Sequence, residues 1–316
     1  MIARCLCSIV DSIDGVNSEL ILVDNNDAPV MEPLATRSRA KYVHESQAGI
    51  AFARNAAMRA SKAEFLLFTD DDCVVSHDWA RSIVQGLLAE PQLTALGGVA
   101  ATPLDSTFFQ KSIGLFLGDV REPYRTGLAA ASRLDSCNVG YRRNVLEKIG
   151  GFDTTFARSV EIELDIRLYG SGYKLAFDPA IVVYHERRHS LEEFLRQFLN
   201  WGYYNFRVFQ KYPSLVIRTR KIIAPSMGLC AVCAGVLTVL LSSQVPPFIL
   251  ALLVLTGLAW LTATAVLTNR EKATYVPFGV LMLLLRAGVE AVGFYKGVLD
   301  CAKSAMVVRV RRRSSI

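Results

Sequence analysis

The sequence predicts an α/β domain built on an open, mostly parallel sheet, followed by apolar helices that reach across a membrane. Two observations carry this expectation. Apolar runs of strand length alternate with helical stretches through the first 100 positions, the pattern of strands joined by crossover helices. The hydrophobic share of 52% and mean hydropathy of +0.29 come largely from the stretch after Lys221. A chain of 316 residues has room for one domain of ~200 residues and an appendage.

Residues 1–17 read as the end of a helix. Glu19–Asp24 is a short apolar run ending in an acid before the turn-prone Asn25-Asn26-Asp27, a buried strand that delivers a carboxylate to the sheet edge. Lys41–Glu45 is a second strand, Ala51–Ala60 a helix, and Glu64–Thr69 a third strand running into Asp70-Asp71-Asp72. A helix at Trp79–Leu88 and a strand at Leu93–Ala100 continue the alternation. Beyond them come a segment at Ser136–Arg142, a helix from Asn144, a Gly150-Gly151 turn and a helix at Val160–Tyr169. Short strands at Lys174–Phe177 and Ile181–Tyr184 precede an amphipathic helix, Leu191–Phe209, that closes a domain spanning 1–210. In open sheets of this kind ligands bind beyond the carboxyl ends of the strands, where Asp24 and the Asp70 cluster fall.

A basic juxtamembrane linker occupies 211–221, and membrane-length apolar segments follow at 222–241 and 248–267. A third, 276–299, carries Arg286 and Glu290 at pairing distance in sequence and is expected to lie in the interface or to span; a basic tail covers 300–316. Of the net charge of +6, much sits at Arg218, Arg220, Lys221 and Arg309–Arg313, which suits anionic membrane lipid and leaves nothing to suggest nucleic acid. With no signal-peptide core at the start, the expectation is a multi-pass cell-membrane protein with its first domain in the cytosol. The seven cysteines include Cys5 with Cys7 and Cys230 with Cys233, neither pair completing a zinc site, so reduced and mostly buried thiols are expected.

Three consecutive carboxylates repel one another in a poorly solvated site, and a hard divalent cation relieves that cost. A solvated acidic turn is the other reading of Asp70-Asp71-Asp72; its place at a strand end favours the cation. The ordered set then resembles family 2 glycosyltransferases of the GT-A fold. Glu19–Asp27 resembles their nucleotide-reading strand, Gly49 with Ala53-Arg54-Asn55 the following helix, and Phe68–Asp72 their Asp-x-Asp motif. Asn138–Arg143 and Ile149–Asp153 resemble the acceptor-side segment.

The resemblance implies that Asp24 contacts the base or ribose of a nucleotide-diphosphate sugar, with Arg54, Asp70 and Asp71 also on the donor side. It implies that Asp70 and Asp72, joined by His185, hold Mn²⁺ or Mg²⁺. His185 otherwise reads as an ordinary polar residue. The family's base-bearing helix aligns with Val160–Arg167 through Leu164 and Arg167, which places Glu161 at the general-base position where aspartate is usual. Glu163 is the alternative base, or a structural partner. Arg187 and Arg188 read either as diphosphate ligands or as a solvated basic loop. Trp201, Tyr203 and Tyr204 read as a sugar-stacking surface or as packing, with packing favoured. The family's domain begins with a strand that the numbering here starts after, so the expected domain is N-terminally shortened. The expected activity is metal-dependent, inverting transfer of a sugar to a glycan or polyprenyl-linked acceptor in envelope or exopolysaccharide assembly; the rival is a catalytically silent membrane docking protein of the same fold, or a truncated remnant of it.

Overall fold

The computed structural model describes residues 1–117, 129–131, 134–219 and 275–313, which fall into two units, Met1–Ser106 with Leu117–Arg187 and Thr107–Phe116 with Arg188–Ile316. The first unit opens on α1 (Ile2–Ser12), whose Cys5 and Ile9 stand one turn apart on its buried face. Strands β1 (Ile21–Asp24) and β2 (Lys41–His44) pair in parallel as a two-stranded sheet. Between them the chain makes α2 (Glu32–Arg37), a short helix with proline in its first turn. Helix α3 (Ile50–Ala60) follows.

The second sheet contains β3 (Phe65–Phe68), β4 (Cys73–Val75), β5 (Leu93–Ala101), β6 (Ala129–Ala131), β7 (Val139–Arg142) and β8 (Lys174–His185). Its order is β3–β7–β5–β8–β4, with β6 also on β8. The expectation of a mostly parallel architecture is corrected here: β5 pairs β8 in parallel, but β3–β7, β5–β7, β4–β8 and β6–β8 are all antiparallel. The alternation with helices holds only as far as β5. After it, β7 inserts between β3 and β5 against their direction, a long-range pairing that hydrophobic periodicity does not encode.

The two short strands expected at Lys174 and Ile181 are one strand with an irregularity. Gly97 faces Phe177 and Val99 faces Val182, so the β8 chain bulges through Asp178-Pro179-Ala180 while β5 advances by Gly98 alone. A Cβ on Gly98 would stand 1.9 Å from the Ile181 carbonyl oxygen, which explains the glycine. Helices α4 (Trp79–Ala89), α6 (Arg143–Lys148) and α7 (Val160–Gly170) complete the unit. Ile83 and Leu87 of α4 pack into one buried cluster with Cys73, Val75, Leu96 and Val183.

At the centre, the fully buried Asn138 joins three elements. Its Nδ2 donates to Val99 O at 2.9 Å and Ile181 O at 3.0 Å, and its Oδ1 accepts from Trp79 Nε1 at 2.9 Å. The amide satisfies carbonyls that the bulge takes out of the ladder.

The second unit contains α5 (Phe108–Leu117), α8 (Leu191–Lys211), α9 (Pro213–Thr219) and α10 (Val276–Arg313). Helix α8 starts in a capping box, with Glu193 N–H donating to Ser190 Oγ and Glu193 Oε2 accepting from His189 N–H. It packs on α10 through glycines: a Cβ on Gly202 would meet Glu290 O at 1.9 Å, and one on Gly293 would meet Leu199 O at 2.0 Å. Arg286 pairs with Glu290 at 3.0 Å, as their spacing predicts, and its guanidinium lies 4.8 Å from the Phe198 ring centre. Trp201 packs 5.0 Å from Phe198, and Tyr203 packs 5.3 Å from Tyr204.

Within α10 the 24-residue stretch Phe278–Cys301 is long and apolar enough to cross a membrane, with mean hydropathy 1.6. The helix continues without a break into the basic segment as far as Arg313. The expected spans at 222–241 and 248–267 lie outside the described residues.

Asn138→Ala would leave the Trp79 indole N–H and two carbonyls unpaired in the interior. It is expected to lower stability by about 3 kcal/mol, measured as a shift of the urea unfolding midpoint of the full chain.

Candidate active site

Asp24 ends β1 with 1% exposure. Its Oδ2 accepts from Val30 N–H and Met31 N–H at 2.8 Å each and from Tyr42 hydroxyl at 2.9 Å. Its Oδ1 accepts from Asn26 N–H at 3.2 Å and Asn26 Nδ2 at 2.6 Å. Burial pushes this carboxyl up, but the bonds from Met31, Asn26 and Tyr42 outweigh it and hold the group down at about 2. The same burial, together with the Asp24 charge, pushes the Tyr42 phenol up to about 12. Asp24, expected to meet the nucleotide, is therefore engaged in ordering the 25–31 loop. The neighbouring Asn25 ties that loop to the approach of α3, donating to Glu45 O at 2.7 Å and Gln47 O at 2.8 Å while accepting from Gly49 N–H at 2.8 Å.

Arg54 on α3 is buried, with its guanidinium 5.8 Å and 5.6 Å from the ring centres of Phe68 and Phe152. Its Nη2 donates to Asp70 Oδ1 at 3.0 Å and to Ser136 O at 3.2 Å. Asn55, one residue on, donates to Phe152 O at 2.7 Å and accepts from Phe152 N–H at 2.9 Å. Gly151 has φ +70 and no room for a side chain, since a Cβ would lie 2.6 Å from Asn55 Oδ1. The Gly151-Phe152 segment is thus bolted to α3.

The three aspartates divide. Asp70 pairs with Arg54, although it was expected with Asp72 in the metal shell. Asp71 is exposed, and partial desolvation, then repulsion from Asp72 and Asp70, raises its carboxyl above the ordinary range. Asp72 Oδ1 lies 3.2 Å from His185 Nε2. The register Cys73↔His185 between β4 and β8 makes that meeting possible. Asp72, Cys73 and His185 bring one potential ligand atom each within 4.8 Å of one another, so the described residues fit a divalent ion at Asp72 and His185. Cys73 was not foreseen, because its role depends on the strand opposite and not on any sequence spacing.

Behind this group lie two more buried thiols. Cys5 Sγ donates to Asp70 O at 3.4 Å, and burial, then Cys73 and the three aspartates, push its thiol up to about 12. A hydrogen bond to Cys73, then burial, raises Cys137 well above the thiol range. Both remain protonated at neutral pH.

On α7 the two glutamates differ sharply. Glu163 is 0% exposed, and Arg167 grips it with Nε to Oε1 at 2.7 Å and Nη2 to Oε2 at 2.8 Å. Arg167 also donates to Ile149 O and Gly151 O at 2.7 Å each. Glu163 is a structural anchor for the Gly150-Gly151 turn. Glu161 is half-buried and carries no hydrogen bond or ion pair among the described residues. The buried Tyr141 hydroxyl, raised by burial and then by Asp165, also senses Arg54 and Glu161, so these groups share one electrostatic neighbourhood. Arg187 is buried, donating through Nε to Thr102 Oγ1 at 3.1 Å and through Nη2 to Ala100 O. Its Nη1 stands 3.4 Å from His185 Nδ1.

Residues 1–150 match the model of Glycosyl transferase family 2. The first 150 residues are thus similar to a family 2 glycosyltransferase domain. It is 23% identical over 209 residues to the pre-mycofactocin glycosyltransferase of Mycobacterium tuberculosis, covering 63% of this chain and 44% of that protein. It is 29% identical over 176 residues to the succinoglycan biosynthesis protein ExoM of Rhizobium meliloti, covering 51% of this chain and 54% of that one. The chain spans about half the length of the curated relatives it matches. The mannosyltransferase PcManGT from Pyrobaculum calidifontis, solved with GDP-Man and Mn²⁺, has the same fold: TM-score 0.57 at 19% identity, over 90% of this chain and 83% of that one. The mixed α/β fold is thus of the GT-A type.

In this domain the Asp24 contribution to stability should depend on pH. Its folded value near 2 lies below the ordinary 3.8, so the stabilisation is complete above about pH 4 and is lost as pH falls toward about 2. Asp24→Asn is expected to cost about 2 kcal/mol at neutral pH. The difference from wild type in urea midpoint should shrink as the buffer is taken through that window.

Proposed function

We propose that the chain is an inverting glycosyltransferase that moves a sugar from a nucleotide-diphosphate donor to a glycan or lipid-linked acceptor in envelope or exopolysaccharide assembly. The observation that carries this reading is the division of labour on α7: Arg167 occupies both oxygens of Glu163 and leaves Glu161 as the unengaged carboxylate, whose charge bears on the Tyr141 hydroxyl. A single carboxylate held at the site's edge suits one in-line displacement, in which it takes the proton of the acceptor hydroxyl as the new glycosidic bond forms. The loop ordered by Asp24, and Arg54 behind Asp70, would shape the nucleotide side of the pocket.

Asp72 and His185 would hold the divalent cation, Mn²⁺ or Mg²⁺. Bound there, the ion supplies neutralisation of the negative charge that builds on the departing diphosphate. Partial desolvation raises the Asp71 carboxyl first and repulsion from Asp72 and Asp70 adds to it, and that repulsion is a cost a cation here would relieve. That PcManGT was solved with GDP-Man and Mn²⁺ agrees with such a donor and ion.

The C-terminal helix Phe278–Cys301, with the apolar segments at 222–241 and 248–267, fits a multi-pass membrane protein with its catalytic domain in the cytosol. A polyprenyl-linked acceptor would then be within reach, with membrane lipid against the basic clusters. The silent-docking reading is favoured by one observation: Asp24 and Asp70 are both already engaged by internal groups.

Turnover measurements separate the two. Glu161→Gln should lower kcat by ~100-fold while donor affinity changes little, the mark of lost base chemistry. Glu163→Gln should instead cost about 3 kcal/mol of stability by leaving Arg167 half-paired. If Glu161→Gln binds donor and turns over like wild type, the base assignment is wrong; if wild type binds donor and turns nothing over, the docking protein is the better account.

Asp72→Ala should abolish Mn²⁺-dependent donor binding, followed by calorimetry, with folding intact by circular dichroism. Donor binding that persists unchanged in Asp72→Ala and in chelator would remove the cation from the reading.

A further inference from the structure

We propose that Cys73 adds a thiolate to the metal group, so that Asp72, Cys73 and His185 together bind a borderline-soft divalent ion of the Zn²⁺ or Co²⁺ class. The proposal rests on the reading that Asp72 and His185 form a metal site, and it names which ion that site favours.

Cys73 and His185 are directly opposed across the antiparallel β4–β8 pair, so their side chains leave the same face of the sheet. Asp72 Oδ1 stands 3.7 Å from Cys73 Sγ and 3.2 Å from His185 Nε2, and all three ligand atoms lie within 4.8 Å of one another. Around a tetrahedral Zn²⁺ with Zn–S of ~2.3 Å and Zn–N or Zn–O of ~2.0–2.1 Å, neighbouring ligand atoms stand roughly 3.3–3.6 Å apart. The distances from Asp72 to Cys73 and to His185 are therefore close to those of a bound site before any ion arrives. Mg²⁺ and Mn²⁺ favour oxygen-rich octahedral shells and gain little from a thiol, whereas carboxylate, thiolate and imidazole together suit Zn²⁺ and Co²⁺. Three protein ligands leave a fourth position open.

The surroundings support the sulfur. Cys137 is hydrogen-bonded to Cys73, and a thiol donor of this kind stabilises a ligating thiolate. On binding, the Cys73 thiol proton passes to solvent and the sulfur lone pair takes up the ion. The imidazole proton moves to Nδ1, where Arg187 Nη1 at 3.4 Å is the contact that yields. The Nε and Nη2 bonds of Arg187 to Thr102 and Ala100 stay in place. Zn²⁺ would thus occupy Asp72 and His185 in competition with the ion that serves the donor, making it an inhibitor.

The test uses the full chain in detergent, stripped of metal and titrated with Co²⁺ alone. A thiolate-to-Co²⁺ charge-transfer band in the near ultraviolet is expected, discharged by Zn²⁺ and absent in Cys73→Ser. The Zn²⁺ affinity of Cys73→Ser should fall by ~10-fold or more. Because that variant sits in the core, Zn²⁺ X-ray absorption on the wild type is the second measurement, with one sulfur expected at ~2.3 Å. A shell of only nitrogen and oxygen, or a band undiminished in Cys73→Ser, overturns the proposal. Mn²⁺ binding without any sulfur signal overturns it while leaving the Asp72–His185 site standing; binding of neither ion overturns both.

Discussion

The antiparallel seam between β4 and β8 is the constraint on which the site depends. β4 has only three residues, Cys73–Val75, and follows directly from the acidic turn. Its pairing with the end of β8 holds that turn at the sheet edge, with Glu186 N–H donating to Asp72 O at 3.0 Å. The bulge in β8 is what lets one strand pair β5 in parallel and still arrive opposite Cys73 in register. Asn138 bridges that bulge, so a fully buried amide far from any reacting atom sets where His185 stands.

Around this seam, charged side chains are held by internal groups instead of solvent. Asp24 accepts five hydrogen bonds from its own loop and from Tyr42, and the Arg167–Glu163 pair fastens α7 to the Gly150-Gly151 turn. Arg54 joins Asp70 to the Phe68 and Phe152 rings. Buried charges satisfied in this way add less to net stability than to uniqueness of geometry, because desolvation offsets much of the attraction. What they secure is rigidity: the half-buried Glu161 and the Asp72–His185 pair are carried on backbone that has little freedom to drift.

The second unit follows a different logic. Its helices α8 and α10 meet through Gly202 and Gly293, which let the backbones approach closely, while Gly297 makes room for the Phe206 ring. The Arg286–Glu290 pair neutralises its own charge within the apolar first half of α10. Phe194, Phe198 and Trp201 stack edge to face along α8, which accounts for the aromatic run by packing without any appeal to a sugar surface.

Sequence by itself determined most element positions and types, because each is written in local periodicity and turn chemistry. β1, β2, α3, β3, α4, β5 and α7 fall within a residue or two of where apolar spacing, glycine and asparagine place them. It also offered Asp70-Asp71-Asp72, His185 and Glu161 as candidates, through their residue types and order. What only the tertiary structure decided is who meets whom. That β7 enters antiparallel between β3 and β5, that Asp70 belongs to Arg54, and that Asp24 is enclosed by its own loop are non-local facts. That Glu163 is gripped by Arg167 depends on the position of Arg167 against the Ile149 and Gly151 carbonyls. Cys73 stands beside Asp72 and His185 only through strand register, which the long-range pairing of β4 with β8 sets and which no local pattern in the chain contains.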